Sequence, residues 1–118
     1  MTVYTDKRYI DVIALRRPTY FILAALLDGP RHGYGIVKRV DELTDGSLRL
    51  RAGTLYAALD RLTEQGLVAP GGEEVVSGRL RRYYRLTPAG RSAVTAEARA
   101  LRDAADTVLT ARSLPEPA

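Results

Sequence analysis

The segment from Arg51 to Gly90 constrains the fold of this chain more than any other part of the sequence. It reads as an amphipathic helix (AGTLYAALDRLTEQG), a short apolar strand (LVAP), a Gly-Gly turn with a polar loop, and an arginine-rich strand (GRLRRYYRLT). A helix, a strand, a loop and a basic strand in this order are typical of a winged helix-turn-helix, whose second helix and wing are shaped to touch DNA. The segment therefore predicts a mainly α-helical chain with a small antiparallel β-wing.

The amino-acid composition agrees with this interpretation but restricts the possible functions only weakly. The 118 residues suffice for one domain, and the formal net charge of +4 suits a nucleic-acid partner, although many soluble proteins share it. The absence of cysteine excludes disulfides and thiolate metal sites. The longest apolar run, Tyr20 to Leu27, is far shorter than the ~20 residues that span a bilayer, and the N-terminus lacks the apolar segment of a signal peptide. We therefore expect a cytoplasmic protein without a membrane partner.

Two helices are predicted ahead of the Arg51 to Gly90 segment. The first runs from Pro18 to about Asp28, and because apolar side chains cover nearly its whole circumference, we expect it to be buried. The second runs from about Gly33 to Leu43, with Ile36, Val40 and Leu43 at helical spacing. Its Lys38 and Arg39 point away from that apolar stripe.

In the third helix, Leu55, Leu59 and Leu62 lie on one face and are predicted to be core residues. Gly66 suits the left-handed position that ends a helix. Between the second and third helices, residues 47–50 could form a short strand.

The last predicted helix, 88–112, carries an apolar stripe at spacings of 4, 3, 4 and 3 residues. The stripe consists of Val94, Ala98, Leu101, Ala105 and Val108. This is the spacing of a coiled-coil seam, so the helix is predicted to form a dimer interface with a second copy of the chain. Before it, residues 1–16 are interpreted as an N-terminal arm and 17–87 as the winged domain. Residues 113–118, which hold two prolines, are expected to form a disordered tail.

Three ordered motifs resemble the PadR family of bacterial transcriptional regulators. They are HGYGI at His32 to Ile36, GTLYAALDRLTEQGLV at Gly53 to Val68, and GRLRRYYRLTPAG at Gly78 to Gly90. The resemblance covers roughly Thr19 to Arg91, and the short single C-terminal helix resembles the smaller of the family's two subgroups. It implies a homodimer whose winged helix binds operator DNA, usually as a repressor that a small molecule releases.

The chain departs from the family's pattern at two positions. Arg51-Ala52 stands where the family commonly has Ser-Pro, and Gly35 stands where it often has an acidic residue. Without a serine cap, the first backbone N–H groups of the third helix need another partner, which phosphate oxygens could supply. Arg51 is itself a candidate phosphate ligand.

The candidate DNA contacts come from the wing and from two helices. Arginine on the wing can enter the minor groove, and no acidic residue lies between Val75 and Ala96. Hydroxyls in the first turn of the third helix can reach the major groove or a phosphate. The candidates are Lys38, Arg39, Arg51, Thr54, Tyr56, Arg61, Ser77, Gly78, Arg79, Arg81 and Arg82.

Some of these candidates have a second interpretation. Arg82 shares a face with Leu80 and Tyr84, so its guanidinium could serve packing. Arg61 could contact DNA or pair with Asp60 or Glu64. Lys38 and Arg39 could belong to an ordinary solvated face.

Aromatic residues near the predicted dimer helix suggest a ligand pocket. Tyr9, Tyr20, Phe21 and Leu101 could line a site for a flat aromatic effector, or they could simply fill the core. His32 is the only histidine and stands just before a helix start, so we expect a structural role rather than a metal site.

No catalytic constellation is visible, so the sequence predicts neither an enzyme nor a cofactor. The alternative to a DNA-binding regulator is a winged helix that serves as a protein-interaction module and has lost DNA binding. An arginine wing without acidic residues favours DNA.

Overall fold

The computed structural model describes residues 15–111, which form four helices and three strands. The helices are α1 (Arg17–Ala25), α2 (Gly33–Leu43), α3 (Ala52–Glu64) and α4 (Pro88–Ala111), and the strands are β1 (Arg31–His32), β2 (Val68–Val76) and β3 (Arg79–Leu86). The predicted tail, residue 112 and most of the predicted arm, including Tyr9, lie outside the described residues. The predicted winged helix-turn-helix with a C-terminal helix is confirmed.

The core lies where α1, α2 and α3 meet. Leu55, Leu59 and Leu62 are buried as predicted, and they pack with fully buried Ile22 and Ile36. Gly66 follows α3 with φ +75°, the left-handed conformation that glycine adopts without steric cost. The apolar periodicity of α3 therefore identified its buried face correctly.

The expectation that α1 is buried on all sides was wrong. α1 is not buried all round, because Tyr20 and Phe21 are only partly covered and Leu27, just beyond the helix, is exposed. Leu43 is also exposed, since it lies in the last turn of α2. A domain of this size has too few neighbouring elements to cover every side of a helix.

The three strands form one antiparallel sheet in the order β1-β3-β2. Strand β1, in which Arg31 pairs with Tyr84 and His32 with Tyr83, was not predicted from the sequence. A strand of two residues has no visible periodicity, and only its partner strand defines it. Residues 47–50, which were considered as a strand, have irregular backbone.

The wing differs from the prediction at its turn. Gly71-Gly72 is not the turn, because β2 continues through a register shift between Pro70 and Gly72 and ends at Val76. The turn is formed by Ser77 and Gly78, with φ values of +52° and +77°. Positive φ at both central residues is typical of a tight type I′ hairpin turn. The wing is thus a long two-stranded ribbon rather than a short strand with a flexible loop.

Helix α4 has a packed beginning and an exposed end. The Thr87 hydroxyl accepts a hydrogen bond from Gly90 N–H (3.0 Å) and donates one to the Gly66 carbonyl (2.6 Å). Val94 is buried against the winged domain, whereas every residue from Leu101 to the end of the helix is exposed. Within residues 15–111, only the first part of the predicted seam is therefore covered.

Candidate nucleic-acid interface

An open groove of about 810 Å³ runs between the wing, the start of α2 and the outer face of α3. Of the predicted DNA contacts, it is lined by Tyr56 from α3 and by Ser77, Arg79, Arg81 and Arg82 from the wing. The fold thus brings the first turns of α3 and the basic wing onto one surface.

The start of α2 is attached to the base of the wing through His32. Gly35 N–H donates a hydrogen bond to His32 Nδ1 (3.2 Å), so the imidazole caps α2. The ring meets Tyr83 edge-on at 5.4 Å and stacks with Tyr34 at 6.5 Å between centroids. Burial, and then the nearby Arg81 charge, lower the pKa of His32. The expected structural role of His32 is confirmed, and the imidazole is held as a neutral acceptor.

The start of α3 is fixed against the start of α2. The Tyr56 ring lies so close to Gly33 that a Cβ there would come within 2.9 Å of Tyr56 Cζ and would also overlap the hydroxyl. Tyr56 nevertheless keeps nearly half of its surface exposed. Its hydroxyl is therefore held at the groove, where a phosphate oxygen could accept a hydrogen bond.

The start of α3 also leaves backbone donors available. The side chain of Arg51, the N-cap residue, makes no capping hydrogen bond, and no acidic residue lies in the first turn. Thr54 is exposed in that turn. An uncapped helix N-terminus attracts an anion through its free N–H groups and its dipole.

The wing is not free of acidic residues in three dimensions. Glu73 and Glu74 on β2 stand directly opposite Arg82 and Arg81. Arg82 Nε lies 3.5 Å from a Glu73 carboxylate oxygen, and the Tyr83 hydroxyl donates a hydrogen bond to Glu74 (2.7 Å), which raises the Tyr83 pKa. The prediction of a wing without acidic residues was therefore wrong, because the facing strand β2 contributes two carboxylates.

These carboxylates weaken the positive charge of the wing only in part. The Arg82–Glu73 pair is well exposed, and such pairs contribute little and exchange partners easily. Arg79 forms no ion pair with any residue in 15–111 and stands beside the turn. The charge at the end of the wing is thus uncompensated within the described part of the chain.

Two predicted contacts lie elsewhere. Arg61 lines a different pocket with Arg16 and Gln65, on the side of α3 that faces away from the wing groove. Arg39 is only partly exposed and donates a hydrogen bond to Glu42 (3.3 Å). Lys38 is exposed one helical turn after Tyr34, so both share a face of α2.

Several groove residues were not among the predicted DNA contacts. Tyr34, Asp60, Leu80 and Tyr84 line the groove together with His32. Tyr34 lies in the HGYGI motif, and Asp60 follows Tyr56 by one helical turn, so the motif and the spacing were the available signals.

A second pocket, of about 310 Å³, lies between α1 and α4. It brings together Tyr20, Phe21 and Leu101, as predicted, and adds Arg17 and Glu97. The Tyr20 and Phe21 rings meet edge-on at 5.1 Å, and the Arg17 guanidinium lies 5.4 Å from the Phe21 centroid.

Glu97 is the unexpected component of this pocket. It is only 6% exposed, and one of its carboxylate oxygens has no hydrogen-bond partner among residues 15–111. Burial raises the pKa of this carboxyl. Nothing in the sequence indicated that this glutamate is buried, because only the packing of α4 shows that it is covered.

Two further observations apply to residues 15–111. They contain no group of three or more His, Asp or Glu side chains placed to hold a metal ion. None of the helices in this range combines the length and the apolar character that crossing a bilayer requires.

Comparison with known proteins agrees with the fold and the motifs. Residues 22–96 match the family described as transcriptional regulator PadR-like. A transcriptional regulator of Mycobacterium tuberculosis is 42% identical over 92 residues, which cover 78% of this chain and 82% of that protein.

Solved structures show the same architecture. A PadR family regulator from Eggerthella lenta superposes with a TM-score of 0.66 at 28% identity, over 98% of this chain and 100% of that one. Bacillus subtilis PadR, solved in complex with operator DNA, shares the fold with a TM-score of 0.59 at 21% identity, over 86% of this chain and 52% of that one. The family is one of transcriptional regulators and not of enzymes. This chain belongs to the PadR-like family of transcriptional regulators.

Proposed function

We propose that this regulator binds duplex DNA as a homodimer and acts as a repressor that a small aromatic molecule releases. The observation that carries the proposal is the groove that joins Tyr56, at the start of α3, to Arg79, Arg81 and Arg82 on the wing. The Bacillus subtilis relative was solved with operator DNA, which supports the same partner here.

Each part of the groove suits a different part of the duplex. The first turn of α3 would enter the major groove, with Thr54 and the free N–H groups near a phosphate. The wing, with Arg79 beside its turn, would reach the adjacent minor groove. Arg51 and Lys38 would contact the backbone on either side.

The dimer is proposed from the exposed end of α4. Leu101 is 50% and Val108 61% exposed, and together with Ala105 they form a stripe that nothing in residues 15–111 covers. A second copy that pairs along this stripe would bury it. Two copies would then place their α3 helices about one DNA turn apart, roughly 34–36 Å, as a two-fold operator requires.

Effector release is proposed from the pocket between α1 and α4. Its aromatic rings suit a flat ligand, and Leu101 belongs both to the pocket and to the dimer stripe. A ligand that displaces Leu101 would therefore change the helix pairing and with it the spacing of the two α3 helices. To test this, a panel of planar aromatic compounds is titrated into the protein–DNA complex. Release by one compound from wild type but not from Phe21→Ala supports this pocket.

The DNA-binding proposal is tested by selecting duplexes from a random-sequence pool and measuring their affinity by fluorescence anisotropy. If each dimer neutralises roughly 6–10 phosphates, affinity should fall ~10³–10⁵-fold between 50 and 200 mM salt. Absence of duplex binding even at low salt would contradict the proposal.

The alternative function is a protein-interaction module without DNA binding. The observation that favours it is the pairing of Glu73 with Arg82, because it reduces the positive charge of the wing. Failure to select any duplex, together with a soluble dimer, would support this alternative.

A further inference from the structure

Two large aliphatic side chains are left in solvent near the end of the wing. Val75 is 71% exposed and Leu80 is 55% exposed. They are direct partners in the β2–β3 register, so their side chains lie next to each other on the same face of the ribbon. Val75 and Leu80 together form one apolar patch, the wing-tip pair.

The surroundings of the wing-tip pair carry a net positive charge. Arg79 and Arg81 flank Leu80 on β3 and belong to the other face of the ribbon by strand alternation, where Glu74, the neighbour of Val75, stands opposite Arg81. On the face of the pair itself, Glu73 stands opposite Arg82. With three arginines against two glutamates, the apolar patch complements a surface that combines apolar walls with negative charge.

The shape of the wing is also specific. The Ser77-Gly78 turn has only two residues and closes the ribbon tightly, so the end of the wing is narrow. The minor groove of DNA is about 6 Å wide, its walls are deoxyribose rings, and its narrow form attracts arginine. Minor-groove proteins often add apolar side chains that contact or wedge the bases there.

We propose that the wing-tip pair, Val75 and Leu80, inserts into the DNA minor groove, where it contacts the sugar walls between phosphates held by the wing arginines. This rests on the proposed function and adds an apolar contact to it. The ionic contacts of the arginines account for the contribution to the affinity that salt weakens. The apolar contacts of the wing-tip pair add a contribution that salt does not change.

The absence of tryptophan from the chain makes a direct test possible. Leu80→Trp places a single indole at the wing tip, and Arg99→Trp places one on an exposed part of α4 as a control. Duplex selected by the wild type is added to each variant, and binding is followed independently by the anisotropy of labelled DNA. The indole emission of Leu80→Trp is expected to change in step with the anisotropy, while that of Arg99→Trp stays constant.

A second variant separates apolar from ionic contacts. Leu80→Asn should lower the affinity about five- to tenfold at every salt concentration, with the slope of log affinity against log salt unchanged. Constant Leu80→Trp emission on DNA that is bound, or an unchanged Leu80→Asn affinity, overturns the wing-tip contact but leaves DNA binding intact. Absence of wild-type binding in the anisotropy arm would instead refute the proposed function, and the wing-tip contact with it.

Discussion

Gly90 lies so close to the Leu67 carbonyl group that no side chain fits between α4 and the segment before β2. A Cβ at position 90 would overlap the Leu67 oxygen and would come within 2.8 Å of Leu86 Cδ1. The carbonyl belongs to the backbone and cannot rotate away. This close approach sets the distance between α4 and the winged domain.

Gly90→Ala is therefore expected to destabilise the protein by roughly 1–3 kcal/mol, the usual cost of overpacking. The free energy of unfolding is measured by urea denaturation. Gly53→Ala is the matched control, because its Cβ would meet no atom within 4 Å in the first turn of α3, and it should leave the stability unchanged or raise it by up to about 1 kcal/mol. Equal stability of Gly90→Ala and wild type would show that α4 can shift.

Arg79→Ala and Arg81→Ala are expected to weaken DNA binding without changing the fold. Both side chains lie on the wing, so their removal creates no core cavity. The salt slope of the affinity should become shallower by about 1 for each phosphate that a variant no longer neutralises. Arg99→Ala, which removes an equal charge on α4, should change the slope little. An unchanged affinity of the double variant, at an unchanged thermal midpoint, would place the wing away from DNA.

Leu101→Asp is expected to dissociate the proposed dimer, because it places charge in the apolar stripe of α4. Analytical ultracentrifugation at micromolar concentration compares it with wild type. Arg99→Asp serves as the control, since residue 99 lies on the opposite face of the helix. A monomeric wild type, or a Leu101→Asp dimer as tight as wild type, would contradict the proposed interface.

His32 should make stability sensitive to mild acid. Its pKa is lowered from 6.5, first by burial and then by Arg81, so the unfolded chain binds a proton more readily. The free energy of unfolding should therefore fall as the pH falls below about 6.5, where protonation removes the Nδ1 acceptor from the cap of α2. His32→Asn keeps a capping acceptor that does not titrate. Urea denaturation at pH 7.5 and 5.5 should show a larger decrease for wild type than for His32→Asn, and equal decreases would contradict this role.

Glu97 should make stability depend on pH in the opposite direction to His32. Burial raises its pKa from 4.5, so the folded state holds a proton that the unfolded state releases. Stability should fall as the pH rises through 4.5 towards the raised pKa. Glu97→Gln should therefore gain stability relative to wild type between pH 4 and 7.5, whereas Glu64→Gln, an exposed control, should not. A lower stability of Glu97→Gln at pH 7.5 would contradict this prediction and indicate that a cation pairs with Glu97.

Local patterns predicted most of the helices correctly. The leucines of α3 recur every three or four residues, and α2 began at Gly33 and ended at Leu43 as expected. The two-faced alternation of β3 also allowed its strand character to be recognised. The wing turn was misplaced, because a Gly-Gly pair fits a bulge as well as a turn and only the facing strand distinguishes them.

The candidate site was less predictable than the fold. Arg61 was a reasonable candidate for DNA contact by residue type. The orientation of α3, however, places Arg61 near Arg16 rather than near the wing. The aromatic residues of the pocket between α1 and α4 were predicted to lie together, but Glu97 entered this pocket only through the packing of α4 on α1.

The apolar periodicity, the turn residues and the three motifs each involve residues that are close together along the chain. The helices, the wing and the family could therefore be predicted from the sequence alone. The pairing of Glu73 with Arg82, the cap that His32 provides beside Tyr83, and the groove joining Tyr56 to the wing arose only on folding. Each joins residues that strand register or helix packing brings together. Because a shift of one residue in register would turn a side chain to the other face of the wing, these contacts are properties of the assembled fold.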